Sequence, residues 1–331
     1  MVPFSLLTTW LLFRMVGWRA LLYALAPPLI WYSFHNWDLL VVAATVMAFY
    51  AWWKGRIATT AILLVIGGCL KLWPLFFLAP LALSRLHADD RGDAVRVTLT
   101  AVGSFMLINA WFVILNFKGW WASYQFQALR DADITSNSIW YWAFRSLDDQ
   151  TLNRIVPILL ALSFTAALAY GWRRANQAEE AYPFLQVSAA ILCAFLLFNK
   201  AHSPQYALWL LPFFVLLQVR WTWWAGYLAF DAALYVGLFR WYYDRAFGVD
   251  FGPAKVAMLA GVWGRAIMLV LLFFVFLRSR PAMEIEPEPD DVAGAESRSE
   301  QVDTVTPAQP GPDLAAGAAT ETGVGSSSTS G

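Results

Sequence analysis

The segment "GGCLKLWPLFF", Gly67 to Phe77, decides the fold because it places a charge inside a long apolar run. Lys71 is the only charged residue between Ile57 and Leu83, and Pro74 follows it three positions later. A charge at membrane depth is costly and usually faces a protein interior or a water-filled cavity. Proline disfavours helical geometry in the residue before it, so the helix is predicted to break at Trp73-Pro74.

The composition is that of a membrane protein. Of 331 residues, 59% are hydrophobic and 14% are charged, against about 25% charged in soluble domains. Cys69 and Cys193 lie in apolar runs and are interpreted as buried thiols. The sequence therefore predicts an all-α fold, a polytopic bundle of transmembrane helices over residues 1–280. Long apolar spans are predicted near residues 93–116, 152–172, 183–199, 205–219, 221–241 and 255–277.

Residues 281–331 have a different composition. They contain ten acidic residues and one basic residue, Arg298, among Ala, Gly, Pro, Ser and Thr. The whole chain has a net charge of zero, so this segment at −9 leaves +9 on the rest. Such a composition cannot bury a core and predicts a disordered acidic tail.

Basic residues in short loops give the orientation, because they favour the cytoplasm. Counting crossings back from Arg278 places the tail inside and residues 117–151 in an external loop. A straight helix over residues 57–83 would put Lys54 and Arg56 outside, whereas a re-entrant or broken-helix hairpin keeps every basic cluster inside. Each arm has about 13 residues, or roughly 20 Å, too short for a core of about 30 Å. The alternative is a straight helix in which Lys71 snorkels or is paired.

This map predicts a cationic cavity at the outer face. Lys71, Arg130, Lys200 and His202 are its expected cations, and its expected guest is an anion, most simply a lipid phosphate. Asp38 is expected to position substrate, with a helix N-terminal role as the alternative. Gln205 and Tyr206 are the other expected positioning residues.

Two further groups of charges follow from the sequence. Asp231 and Arg265 fall about ten residues into consecutive predicted helices, so an ion pair near the membrane midplane is expected, structural in role. The alternative is that Arg265 faces the cationic cavity. The segment "DAD", Asp131 to Asp133, is a weak match to an acid-x-acid metal motif. No metal site is expected, and nothing in the sequence indicates nucleic acid binding.

Three segments carry a family resemblance. They are Asn36–Leu83, with "LKLWP"; Phe117–Trp142; and Phe198–Pro212, with "SPQYALWLLP". Together they resemble the polyprenol-phosphate-mannose-dependent mannosyltransferases of glycosyltransferase family 87, which belong to the GT-C superfamily. The resemblance covers roughly residues 20–275.

The resemblance implies an integral plasma-membrane glycosyltransferase. Its donor would be a polyprenyl phosphate sugar, with mannose as the expected sugar, and its acceptor a glycolipid or cell-wall glycan on the extracytoplasmic face. Transfer would be inverting and would need no metal or other cofactor. Lys71, Arg130, Lys200 and His202 would then hold the donor phosphate as charge develops on the leaving group. The family's general base is expected upstream of the first residue here, so the catalytic base stays unassigned, with Asp38 the nearest acid.

Two other functions remain open at this stage. A non-catalytic lipid-binding membrane partner, or a truncated inactive homologue, would fit a chain without its base. A transporter would be supported by an inverted repeat of broken helices, and the sequence indicates only one broken hairpin. The sugar, the acceptor and the oligomeric state cannot be read from the residues.

Overall fold

The computed structural model describes residues 1–132, 137–249 and 252–283. These residues form helices and no strand, apart from one isolated bridge between Leu217 and Pro281, so the all-α prediction is confirmed for the described part of the chain. The helices, in chain order, are α1 Val2–Val16, α2 Leu21–Ala24, α3 Pro27–Tyr32, α4 Asp38–Trp53, α5 Ile57–Leu70, α6 Leu78–His87, α7 Arg91–Leu129, α8 Ile139–Ala143, α9 Asp149–Ala178, α10 Phe184–Phe198, α11 Ala207–Leu216, α12 Trp221–Ala246 and α13 Gly252–Arg278. Short 3₁₀ helices cover Gly17–Ala20, Trp73–Phe77 and Pro204–Tyr206.

The helix breaks at Lys71, two residues before the Trp73-Pro74 bond at which the break is predicted. α5 ends at Leu70, Lys71 is extended (φ −152°, ψ 135°), and a 3₁₀ turn begins at Trp73. The chain then reverses, because Pro74 and Leu75 pack against Gly67 and Gly68 of the last turn of α5. A Cβ on Gly68 would lie 2.3 Å from Leu75 Cγ, so this close return requires glycine.

Two contacts show that the first arm of this hairpin begins, and the second arm ends, at the same end of the structure. At that end Trp52, just before the hairpin, packs against Phe184, and His87, at its end, packs near Tyr182. Tyr182 and Phe184 flank the start of α10. At the other end Lys71 meets Asp38, the first residue of α4. The sequence prediction of a hairpin with Lys71 at its tip therefore matches the path of the chain.

A second hairpin stands beside the first. α10 leads up to the loop of residues 199–206, and α11 returns from it. Every residue of α11 is buried, which is typical of an apolar stretch of about 10–14 residues. The predicted span over residues 205–219 is therefore wrong in length. The C-terminal carbonyl groups of α11 are bound by Arg19, which donates to the carbonyls of Phe214, Val215 and Leu217. Arg19 thus satisfies acceptors that the end of a helix leaves unpaired.

Among the described residues, α7, α9 and α13 are long and apolar enough to cross a membrane. This is fewer than the six spans predicted, because α10 and α11 are short and α12 is not sufficiently apolar. The outer surfaces of α7 and α9 are largely exposed apolar side chains, whereas α4, α10 and α11 form the centre of the core.

α12 and α13 pack closely in an antiparallel register. Asp231 faces Arg265, Leu234 faces Gly261, and Gly237 faces Met258. A Cβ on Gly237 would lie 2.2 Å from the Met258 backbone nitrogen. Small residues thus let the two backbones approach, as is common between membrane helices.

The segment predicted as an external loop, residues 117–151, is partly helical. α7 continues to Leu129 beyond a kink at Asn116, whose φ of −156° and ψ of 82° are not helical. Trp120 donates across this kink to Asn109 Oδ1 over 2.8 Å, which holds the two parts of α7 together.

The predicted boundary of the acidic tail needs a small correction. Residues 281–283 pair with the end of α11, where Ala282 N donates to Leu216 O over 2.8 Å and Gln218 N donates to Arg280 O over 2.8 Å. The rest of the predicted tail, residues 284–331, lies outside the described residues.

Candidate functional site

The tips of the two hairpins meet at one end of the bundle, and most of the predicted site residues lie there. Polar and aromatic side chains form a continuous row across the tips, here called the polar row. Each member contacts the next. Its members are Asp38, Lys71, Tyr206, His202, Arg265 and Asp231.

One end of the polar row is a buried ion pair. Lys71 Nζ lies 2.7 Å from Asp38 Oδ1, which also accepts a hydrogen bond from Trp209 Nε1 over 2.6 Å. The Asp38 side chain is 1% exposed and that of Lys71 is 15% exposed. Lys71 was predicted to face a cavity, with a snorkelling or paired lysine in a straight helix as the alternative. The structure combines the broken helix with a paired lysine, because the charge of Lys71 is matched by Asp38. The phosphate contact predicted for Lys71 stays a prediction.

Aromatic rings enclose the Lys71 ammonium on its remaining sides. Trp37, Tyr206 and Trp209 each have a ring centroid 5.5 Å from Nζ, within cation–π range. Tyr206 stacks on Trp209 at 3.8 Å and also lies 5.7 Å from the His202 ring. Tyr206 therefore joins the Lys71 end of the polar row to the His202 end.

The other end of the polar row is also an ion pair. Arg265 Nη1 lies 3.2 Å from Asp231 Oδ1, and both side chains are at most 2% exposed. The structure thus brings together the two charges expected to meet. Arg265 Nη2 also lies 2.7 Å from His202 Nε2, so Arg265 reaches the site residues as well as its acidic partner.

His202 is neutral, which corrects its predicted role as a cation. Arg265 can only donate, so His202 Nε2 accepts and carries no proton. The Nδ1–H group donates to Leu196 O over 2.8 Å. Burial, together with the neighbouring Arg265 charge, lowers the pKa of His202 to about 3.

Lys200 points away from the polar row. Its Nζ donates to Ala128 O over 3.3 Å and to Asn153 Oδ1. Burial lowers the pKa of Lys200, and Asp131 and Asp149 act on it in the opposite direction. Lys200 therefore ties the loop of residues 199–206 to α7 and α9, which differs from the phosphate contact predicted for it.

Arg130 is the one of the four predicted cations that lines an open groove. It follows α7, is half-buried, and lines an open groove of about 690 Å³ with Gln125, Phe126, Leu129 and Asp131. Burial raises the pKa of Tyr206 and the Arg130 charge acts in the opposite direction, so Arg130 is close enough to this member of the polar row to interact with it electrostatically. Gln205, the remaining predicted positioning residue, is also half-buried, next to Tyr206.

Metal coordination finds no support in the described ranges. No group of three or more His, Cys, Asp or Glu side chains is close enough to hold an ion there. Asp131 lies in the groove, and Asp133, the second acid of the metal motif, lies outside the described residues. The two cysteines are free, with Cys193 buried and Cys69 half-buried.

Two members of the site were missed by sequence reasoning. Trp209 donates to Asp38, and Tyr227 lies under the Arg265 guanidinium, 5.9 Å from its carbon. Each is an aromatic residue on an apolar helix, and this pattern is equally typical of core packing. No feature of the sequence distinguishes an aromatic residue that contacts the site from one that packs in the core.

Comparison with known proteins gives no assignment: no protein-family model matches the chain, and no curated protein is significantly similar to it.

Proposed function

We propose that the chain is a membrane glycosyltransferase that takes a sugar, most simply mannose, from a polyprenyl phosphate donor. The acceptor would be a glycolipid or cell-wall glycan on the extracytoplasmic side of the plasma membrane, and the residues after Arg278 would be cytoplasmic. The proposal rests on the sequence resemblance and on the groove beside the polar row.

The groove is the observation that carries the proposal. Phe126 and Leu129 expose 64% and 61% of their surface beside the Arg130 guanidinium. An apolar wall beside one accessible cation fits an amphiphile with an anionic head. A guanidinium can bind two phosphate oxygens at once, so Arg130 is assigned the donor phosphate.

The polar row would then act on the sugar and the leaving group. Tyr206, whose ring lies 5.5 Å from Lys71 Nζ, and its neighbour Gln205 are assigned to sugar positioning. The N–H groups of Lys71 and Arg265, which Asp38 and Asp231 hold in place, are assigned to hydrogen bonds with the leaving phosphate, because preorganised donors stabilise developing charge best. Asp38 Oδ2 makes no hydrogen bond within the described residues, and the same holds for the Asp231 carboxylate at the other end of the row; of the two, Asp38 is assigned as proton acceptor because it contacts Lys71 beside Tyr206.

A non-catalytic lipid-binding partner is the second candidate, favoured by the neutralised charges. Lys71 and Arg265 are both paired with carboxylates, which leaves Arg130 as the open cation of the predicted set. Such a chain would bind the lipid phosphate without transferring the sugar.

The hairpins disfavour the transporter alternative. A second broken hairpin is present, but its tip meets the tip of the first at the same end of the bundle. An inverted repeat would point the two hairpins in opposite directions.

Lipid binding tests the proposed site. The full chain in detergent is incubated with a short-chain polyprenyl phosphate hexose, and bound lipid is quantified by native mass spectrometry. Arg130→Ala is expected to weaken binding about 10–100-fold, the effect of a lost charged hydrogen bond. Arg145→Ala is the matched control, since Arg145 is exposed in the same segment and stacks on Tyr141.

Two results would overturn the site assignment. Equal binding by Arg130→Ala and Arg145→Ala would remove Arg130 from the phosphate. Equal binding of the uncharged polyprenol would show that the groove recognises only the apolar chain.

A further inference from the structure

A small, partly open cavity lies beside Arg265 of the Asp231–Arg265 pair. Its volume is about 10 Å³, and its polar lining comes from Asn137, Ser138, His202 and Arg265. The rest of the lining is apolar and belongs to α10, α12 and α13, with Ile139 of α8. The open groove at Arg130 is separate from it, with no lining residue in common.

Three buried polar atoms belong to residues that line this cavity. Asn137 Nδ2, Ser138 Oγ and Arg265 Nε are all buried, and none makes a hydrogen bond within the described part of the chain. Buried polar groups are almost always paired, and leaving one unpaired is destabilising. Three such atoms around one void indicate that something in the void accepts their hydrogen bonds.

We propose that this cavity binds one water molecule. A cavity of roughly 10–15 Å³ is the smallest that holds a water, and buried waters usually make about three hydrogen bonds. A water can accept from Arg265 Nε and Asn137 Nδ2 and donate to Ser138 Oγ, which pairs all three of these atoms.

Size and charge both select water over an anion. The cavity has no room for a phosphate group. The Arg265 charge is already matched by Asp231 at 3.2 Å, so a buried chloride would bring an uncompensated negative charge, which is costly at low dielectric. A neutral ligand avoids that cost.

The water would tie the segment leading into α8 to the polar row. That segment is already held by Asn137 N, which donates to His202 O over 2.8 Å, and by Trp140 Nε1, which donates to Phe198 O over 2.7 Å. With the water in place, Asn137 and Ser138 also contact Arg265. The buried ion pair then anchors this segment, and losing the water would loosen the cover over His202 and Arg265.

The direct test is an electron cryo-microscopy map of the full chain at a resolution that shows ordered water. A peak is expected within about 2.6–3.2 Å of Arg265 Nε, Asn137 Nδ2 and Ser138 Oγ. An empty cavity would overturn the proposal. So would a peak that strengthens when chloride is replaced by bromide, because that ligand would be an anion.

A pair of variants tests the same site in solution. Ser138→Ala removes one partner of the water and is expected to lower the melting temperature by at least about 2 °C. Ser188→Ala is the matched control, because Ser188 Oγ is also buried and unpaired within the described residues but does not line the cavity. Ser188→Ala is expected to be neutral or stabilising, and the same outcome for Ser138→Ala would contradict the bound water.

Discussion

At the scale of single residues, the Asp38–Lys71 pair gives the sharpest expectation. Lys71→Met leaves the Asp38 carboxylate buried without a counter-charge, which typically costs about 3–5 kcal/mol. Asp38→Asn leaves Lys71 unpaired in the same way. The double variant Asp38→Asn/Lys71→Met is expected to be less harmful than the sum of the two, and this is measured as melting temperature and folded yield in detergent.

Lys118→Met is the control for the loss of a positive charge, because Lys118 is exposed on α7. Additive effects of Asp38→Asn and Lys71→Met would mean that the two groups do not interact.

The buried, neutral His202 makes stability depend on pH. Its folded pKa of about 3 is below the usual value of about 6.5, so the unfolded chain binds the proton more readily. The contribution of His202 to the free energy of unfolding is therefore fully present above about pH 6.5. It is lost as the pH drops toward 3, by up to about 1.4 kcal/mol per pH unit. Melting temperatures measured from pH 7.5 to pH 4.5 test this.

His202→Gln removes the titrating group and should flatten this pH dependence. His87→Gln, at the half-buried His87, should leave it in place. If His202→Gln retains the full acid sensitivity of the native chain, His202 is not the group responsible.

The sequence supplied the charges of the site but not their partners. The matching depths of Asp231 and Arg265 in consecutive helices were sufficient to pair them. Lys71 could not be paired in the same way, because its distance from Asp38 depends on how far α5 rises beside α4. The neutral form of His202 was also beyond sequence reasoning, since it follows from contact with Arg265 across 63 positions.

At the scale of elements, the close packing of α12 on α13 depends on glycine. Gly261→Ala would bring a Cβ within 2.4 Å of the Leu234 backbone nitrogen, so the helices would have to separate. A loss of about 1–3 kcal/mol is expected. Gly226→Ala, on the same α12 helix, would meet nothing nearer than Met268 Cε at 3.5 Å and should be neutral or stabilising; thermal unfolding in detergent compares the two. A harmless Gly261→Ala would contradict this packing.

The membrane orientation of the first hairpin can be tested by cysteine accessibility. In a Cys69→Ser/Cys193→Ala background, the exposed positions Arg56 and Ala88 should both resist an impermeant thiol reagent on intact cells. The exposed position Gln150 should react, and Gln177 should not. Different labelling of Arg56→Cys and Ala88→Cys would contradict a hairpin that returns to its starting side.

The elements predicted best are those with a local cause. The hairpin could be predicted because Lys71 and Pro74 lie close together in one apolar run, although α5 ends at Leu70, before the predicted break at Trp73-Pro74. The length of α11 could not, because its last carbonyls are bound by Arg19 from the other end of the chain. An apolar run indicates that a segment avoids water, but it does not show whether lipid or the rest of the protein surrounds that segment.

At the scale of the whole molecule, apolar α7 and α9 face outward around a core built from α4, α10 and α11. This arrangement fits a bundle in lipid, with two hairpins whose tips carry the polar groups. The all-α class followed from composition alone. The chemistry of the hairpin tips could not be predicted from composition. The sequence shows which residues are cations, but it does not show that Asp38 and Asp231 pair with Lys71 and Arg265 in space.

Turnover tests the proposed function most directly. The purified full chain is reconstituted in liposomes with a radiolabelled polyprenyl phosphate mannose and a glycolipid acceptor extract. The account predicts acceptor-dependent release of polyprenyl phosphate and transfer of label to the acceptor, with Arg130→Ala reducing the rate about 10²–10³-fold and Arg145→Ala leaving it unchanged. If the chain binds the donor with native Arg130 in place but no label reaches any acceptor, the glycosyltransferase proposal is contradicted and the non-catalytic lipid-binding function takes its place.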